Sequence, residues 1–297
     1  MGTITNKFII MCSILFRISA IGFAQNTTAF FIFGDSLVEV GNNYYIDTLA
    51  KPSFPNGIDF PRGTPSGRFT NSRIITDIIG EELGFQDYTP PFLAPNTTGD
   101  TILKGVNYAS SGAGILQAPG SLLGERIWMD KQVDYFAKTR QDIISRIGAS
   151  AAQALLRNSL YFLAIGSNDI LFGEYATLDK NGFTDEVVSS FKSQITTLQH
   201  GSVFVYIDGY AVTDDIINNS RSYGFENIDY ACCEVIGRHG GLIPCTEMSR
   251  VCSDRKKYIF WDPFHPTESA ILIAAKYMLD GGPEYVSPIN IRQLANS

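Results

Sequence analysis

Ser36 follows the apolar run Ala29-Phe30-Phe31-Ile32-Phe33 and the turn pair Gly34-Asp35, and His265 stands three residues after Asp262 in Asp262-Pro263-Phe264-His265-Pro266. A histidine whose Nδ1-H reaches a carboxylate keeps Nε2 free to take a proton from a serine hydroxyl, which makes that serine a nucleophile toward an acyl group. Pro263 and Pro266 keep the Asp/His pair out of helix, so a turn can bring the two side chains together. Only three histidines are available, and His200, in a helix-to-strand turn, and His239, between Arg238 and Gly240, read as solvated surface. Acyl transfer also needs donors for a tetrahedral oxyanion. The Gly112 N-H in Ser110-Ser111-Gly112-Ala113-Gly114 and the Asn168 amide in Gly166-Ser167-Asn168-Asp169 are the candidates. Taken singly, Ser36 also reads as a cap, Gly112 as turn geometry, Asn168 as a turn cap and Asp262/His265 as a structural pair. The four segments in the order Ser, Gly, Asn, Asp/His carry the argument.

Buried parallel strands would position these residues. Ala29 to Phe33 reads as a strand covered on both faces, and Gly34 permits the sharp turn that delivers Ser36 to its carboxyl end, the edge where ligands bind in open α/β sheets. Val106 to Ala109 and Leu160 to Ile165 read as further strands, each ending in small or polar residues. Val203 to Asp208 reads as a fourth, and Tyr258 to Trp261 precedes the Asp/His turn. Helices are expected at about 73–83, 129–139, 141–156, 185–198 and 267–278, the first from its apolar face of Ile74, Ile75, Ile78, Ile79 and Leu83. Pro52, Pro55, Pro61 and Pro65 make residues 51–71 a long loop without regular helix. This alternation predicts an α/β fold with a parallel sheet covered by helices on both faces, in one domain without an internal repeat or linker.

Composition narrows the setting. The chain has 297 residues, 44% hydrophobic and 18% charged, and a net charge of -7, and its longest basic run is Arg255-Lys256-Lys257. These values speak against disorder and against nucleic acid or an anionic membrane as the main partner. Lys7, the apolar run Phe8 to Phe16 and Gly22-Phe23-Ala24 read as a secretory signal over residues 1–24, although Arg17 interrupts the apolar character. No stretch is long enough to be an integral membrane segment. The expected mature domain is 25–297, secreted, extracellular and monomeric. Cys12 would leave with the signal, and Cys232, Cys233, Cys245 and Cys252 remain as two disulfides, with the adjacent Cys232 and Cys233 each pairing to Cys245 or Cys252. A zinc site including His239 is the rival, weakened by the lack of a close Cys-x-x-Cys pair. Asn26, Asn96 and Asn218 begin glycosylation sequons. The acyl-transfer chemistry needs no metal and no organic cofactor.

Phe33-Gly34-Asp35-Ser36-Leu37, Asn107-Tyr108-Ala109-Ser110-Ser111-Gly112, Gly166-Ser167-Asn168-Asp169 and Asp262-Pro263-Phe264-His265-Pro266 resemble the blocks of the plant GDSL esterase/lipases of the SGNH hydrolase superfamily. Gly57-Ile58-Asp59-Phe60-Pro61, Ser66-Gly67-Arg68-Phe69 and Ala231-Cys232-Cys233 are similar to that family as well. The resemblance implies a flavodoxin-like three-layer α/β/α sandwich, with Ser36 as nucleophile, His265 as base and Asp262 as its orienter. It also implies an oxyanion hole made by the Ser36 N-H, the Gly112 N-H and the Asn168 side chain, and a small-molecule or lipid ester as substrate. Glu39 stands where the family usually has Asp, and Ser111 where Gly is frequent.

A larger departure lies between Leu198 and Gly201, where a strand ending in Gly-Pro-x-Gly-Cys and a following helix are absent, on the order of 50 residues, leaving the sheet one central strand short. If the next strand fills the vacancy, every later element moves by about 4.8 Å, and catalytic geometry tolerates only about 0.5 Å. Otherwise the gap stays open and exposes core and strand edge. The readings are therefore a secreted serine esterase or, alternatively, a catalytically impaired truncated isoform or pseudoenzyme. A carbohydrate-binding or structural glycoprotein rests only on the sequons and the secretory signal.

Overall fold

The computed structural model describes residues 27–61, 66–173, 180–198, 203–234 and 243–297. The expected signal, the sequon residue Asn26, and both His200 and His239 lie outside them.

Strand β1 (Phe30–Gly34) is buried along its whole length because it lies between two neighbours. On one side β2 (Leu160–Ala164) pairs with it in parallel, Phe30 opposite Leu160 through Gly34 opposite Ala164. On the other, the Ile32 N-H donates to the Val106 carbonyl and the Tyr108 N-H to the Ile32 carbonyl. Beyond that the Phe92 N-H donates to the Asn107 carbonyl. The expected strand at 106–109 is thus present as a single parallel bridge on each side of Asn107.

Side chains alternate across a strand, and β1 shows the consequence. Phe30 and Ile32 enter one core with α1 (Ile75–Glu82) and α6 (Glu268–Asp280), through Ile78, Ile79, Ile271, Ala275 and Leu279. Phe31 and Phe33 enter the other with α2 (Met129–Ile147), α3 (Ala149–Arg157) and α4 (Lys180–Leu198), through Met129, Phe136, Ile143, Ala152 and Leu198. The result is the expected three-layer sandwich. One boundary differs: the break between α2 and α3 falls at Gly148, whose φ of 81° suits glycine, and not near Arg140. The α4 helix also begins earlier than expected, at Lys180.

The expected fourth parallel strand is not in the sheet. Of Val203 to Asp208, only β3 (Tyr206–Ile207) is extended and paired, and it runs antiparallel to β6 (Val286–Ser287). Among the described residues no strand pairs with the outer edge of β2. Two short helices not expected from the pattern, α5 (Gly209–Asn218) and α7 (Ile291–Ala295), pack against α6. The segment Tyr258 to Trp261 forms isolated bridges, Asn227 to Tyr258 and Phe260 to Pro266.

Cysteine pairing follows the expectation: Cys232 bonds Cys252 and Cys233 bonds Cys245. With all four sulfurs paired, the zinc reading has lost its ligands. β4 (Cys233–Glu234) and β5 (Arg250–Val251) form a short antiparallel ribbon in this loop, which packs with Trp261. Asn96 and Asn218 are exposed. Among the described residues no helix is long and apolar enough to cross a membrane.

Candidate active site

Gly34 has a steric reason to be glycine. A Cβ there would lie 2.3 Å from the Ala164 carbonyl oxygen and 2.5 Å from Val38 Cγ2. The backbone therefore passes directly over the end of β2, and the Asp35 N-H donates to the Ala164 carbonyl at 3.1 Å. The Gly34 carbonyl accepts from the Ser110 N-H, so the ends of three neighbouring strands are laced together. Gln132, buried on α2, closes the arrangement: its Oε1 accepts from the Gly34 N-H and its Nε2 donates to the Gly34 carbonyl, both at 2.8 Å.

Ser36 sits half-buried at this edge, with its Oγ 2.8 Å from His265 Nε2. His265 Nδ1 lies 2.8 and 2.9 Å from the two oxygens of Asp262. Both Asp262 and the ring are buried. Asp262 Oδ1 also accepts the backbone N-H groups of Phe264 and His265, each at 2.9 Å, and Oδ2 accepts the Cys245 N-H at 3.2 Å. Such a carboxylate is held by backbone donors before it meets the imidazole. The Phe69 ring stacks on the imidazole with centroids 5.0 Å apart. Ser36, His265 and Asp262 are thus brought together, in a geometry that can draw a proton from Ser36.

The turn is anchored to the long loop that follows β1. Asn56 accepts from the Trp261 indole N-H at 2.9 Å and donates to the Cys245 carbonyl. Thr70 donates to the Pro266 carbonyl, Asn71 accepts the Glu268 N-H, and Arg255 makes a two-pronged ion pair with Asp59. These anchors come from residues 56–71, far upstream of residue 198.

The loop carrying Gly112 can be accounted for donor by donor. From Ser110 to Leu116, every backbone N-H reaches an acceptor among the described residues except those of Gly112 and Gly114. The Ser36 N-H likewise has none. Buried amides are nearly always paired, so the open N-H groups of the buried Gly112 and Gly114 stand out in this loop. Asn168 lies against this loop and donates from Nδ2 to the Ala113 carbonyl at 2.9 Å, which leaves its second amide hydrogen. Burial pushes the Asp35 carboxyl up to about 6, and its Oδ2 has no partner among the described residues.

Glu39, Phe69, Gln132 and Asp169 complete the site and carried no assigned role in the sequence. Each left a signal. Glu39 is the lone acid in Leu37-Val38-Glu39-Val40, Gln132 is a polar residue on the apolar stripe of α2, and Phe69 and Asp169 sit inside quoted blocks.

Known proteins resemble this chain over nearly its whole length. Residues 30–177 match the family described as GDSL-like Lipase/Acylhydrolase. "GDSL esterase/lipase At4g16230" of Arabidopsis thaliana is 42% identical over 356 aligned positions, covering 97% of this chain and 96% of the relative. "GDSL esterase/lipase At3g50400" of the same plant is 37% identical over 350 positions, covering 94% of each. Both alignments are longer than the 297 residues present here, so each relative carries positions without a counterpart in this chain. A buried strand ending at Ser36, a buried Asp/His turn within reach of it, and this degree of identity over nearly the whole length together place the chain in the GDSL esterase/lipase family.

Proposed function

We propose that this protein is a secreted serine hydrolase that cleaves carboxylic esters through an acyl-enzyme. The observation that carries the reading is the 2.8 Å contact between Ser36 Oγ and His265 Nε2. In the proposed cycle His265 takes the Ser36 proton as the oxygen attacks the ester carbonyl. Asp262 holds the Nδ1-H tautomer and stabilises the imidazolium. The N-H groups of Ser36 and Gly112 and the Asn168 amide receive the oxyanion. His265 then protonates the departing alcohol, and water activated by the same imidazole releases the acid. The relatives named as esterase/lipases support the reaction class, and the two disulfides, with the signal-like start, support export. Exposed Ile170, Leu171 and Phe172, directly after Asn168-Asp169, and Phe264 beside His265 supply an apolar rim suited to a small or lipid ester. One chain provides the whole site, so a monomer suffices, and exposed Asn96 and Asn218 are available for glycans.

The test is hydrolysis of p-nitrophenyl butyrate by the native chain and by Ser36→Ala. The expected loss in kcat/KM is about a thousandfold or more. Turnover unchanged by Ser36→Ala would overturn the proposal, and a folded native chain without turnover would favour the impaired isoform.

A further inference from the structure

Two buried carboxylates near Ser36 have no part in the proton transfer, yet both bind the loop that carries Gly112. Glu39, fully buried three residues after Ser36, accepts the Ser111 N-H on Oε2 and the Asn43 N-H on Oε1, each at 2.7 Å. Asp169, buried directly after Asn168, accepts the Ile115 N-H on Oδ2 at 2.8 Å and the Leu116 N-H on Oδ1 at 3.0 Å. The loop wraps closely on the second acid, since a Cβ on Gly114 would lie 2.8 Å from both Asp169 oxygens. Asn43 reinforces the first, donating to the Ser111 carbonyl at 3.1 Å and accepting the Ser110 hydroxyl at 2.6 Å. Between the two clamped ends lies the unpaired Gly112 N-H, in a backbone with φ of 77°.

We infer that Glu39 and Asp169 are positioning residues that hold the two ends of the Ser111 to Leu116 loop so that the Gly112 N-H points at the developing oxyanion. This inference rests on the serine-hydrolase reading. Glu39 ties the loop to the segment bearing the nucleophile, and Asp169 ties it to the segment bearing Asn168, so the three donors are set relative to one another. Each carboxyl uses both oxygens on N-H donors, and a protonated Glu39 still accepts on both, since a carboxyl hydroxyl oxygen keeps its lone pairs. A glutamine or asparagine keeps the shape but turns one acceptor into a donor that faces another donor. The loop must then shift, and a displacement approaching 1 Å in a catalytic group costs about a hundredfold.

The experiment compares the full chain with Glu39→Gln and Asp169→Asn, using p-nitrophenyl butyrate kinetics at temperatures well below each melting point. Two inhibitors are added: an alkyl trifluoromethyl ketone, which becomes an oxyanionic hemiketal on Ser36, and the corresponding alkyl amide, which resembles the ground state. Expected are a fall in kcat of about 10- to 100-fold with KM nearly unchanged, a matching loss of affinity for the ketone, and unchanged binding of the amide. Unchanged kcat, or equal losses for ketone and amide, would overturn the inference. Glu39→Asp, which keeps the acceptors but shortens the reach, should recover part of the kcat lost in Glu39→Gln. If Glu39→Gln does not fold, Asp169→Asn decides by the same criteria. Native turnover that is insensitive to Ser36→Ala removes the serine-hydrolase reading itself, which is a different result from an active, Ser36-dependent enzyme whose clamp variants keep their kcat.

Discussion

Burial moves Glu39 furthest among the carboxyls at this site whose values stand near neutrality. Its carboxyl is pushed from the ordinary 4.5 up to about 8 by desolvation, against the opposing pull of the Asn43 and Ser111 N-H groups. Between those values the folded chain holds a proton that the unfolded chain has released, so the Glu39 contribution to stability falls as pH rises from about 4.5 to about 8 and is level outside that window. Asp35 acts with the same sign between 3.8 and about 6. Tyr44, raised by its own burial and by Glu39, stays neutral throughout. The native melting temperature should therefore drop more between pH 5 and pH 8 than that of Glu39→Gln, measured by calorimetry at both values. Equal drops would show that Glu39 does not titrate in this range. At this scale the sequence was informative for residues whose chemistry depends on type and local spacing, such as Ser36 and the Asp262/His265 turn. For Glu39, Gln132 and Asp169 it left only a signal that they are unusual, and no role, because their roles depend on which distant N-H groups they meet.

Among the elements, the turn from Asp262 to His265 is held by a cysteine loop and not by a sheet. The Cys232 and Cys233 N-H groups donate to the Phe260 and Trp261 carbonyls, and the Cys245 N-H donates to Asp262 itself. The Cys233–Cys245 bridge, with a sequence separation of 12, fixes the donor that faces Asp262. Replacing both of its cysteines by alanine should lower stability by about 2 to 5 kcal/mol and lower kcat. The Cys232/Cys252 double variant should cost similar stability with a smaller loss of kcat. Denaturant melts and ester kinetics on the two variants check this, and equal kcat losses would show that the Cys245 N-H is not special. The cysteines announced that a staple exists, and the cost of bonding neighbours limited their partners to two choices. The choice between those pairings lay in the antiparallel β4/β5 ribbon, which local sequence does not encode.

Across the molecule, the notable fact is that a chain shorter than its relatives still brings Ser36 and His265 into contact. Among the described residues β3 pairs with β6 and no strand pairs with the outer edge of β2. The segment that reads as a buried strand is instead exposed, with Tyr206 67% and Tyr210, just beyond it, 81% accessible, and Val203 and Phe204 also at the surface. Exposed aromatic and aliphatic groups in one stretch bind apolar dyes. The native chain should therefore enhance the fluorescence of anilinonaphthalene sulfonate, and Phe204→Ser with Tyr210→Ser should reduce that signal while leaving kcat unchanged. No change in dye binding would place the exposed surface elsewhere.

By itself the sequence determined the two-sided burial of β1, the serine that follows it and the histidine with its carboxylate, because these follow from period, residue type and spacing of a few positions, whereas Val203 to Asp208, read as a further parallel strand, pairs antiparallel outside the sheet. It could not determine whether the two halves of the site would meet, since that depends on contacts between residues 196 to 205 positions apart. The tertiary structure decided it through Asn56, Asp59, Thr70 and Asn71, which grip Trp261, Arg255, Pro266 and Glu268. These anchors join the segment around His265 directly to residues 56–71, so the position of His265 is set against the loop after β1 and not by counting strands across the sheet.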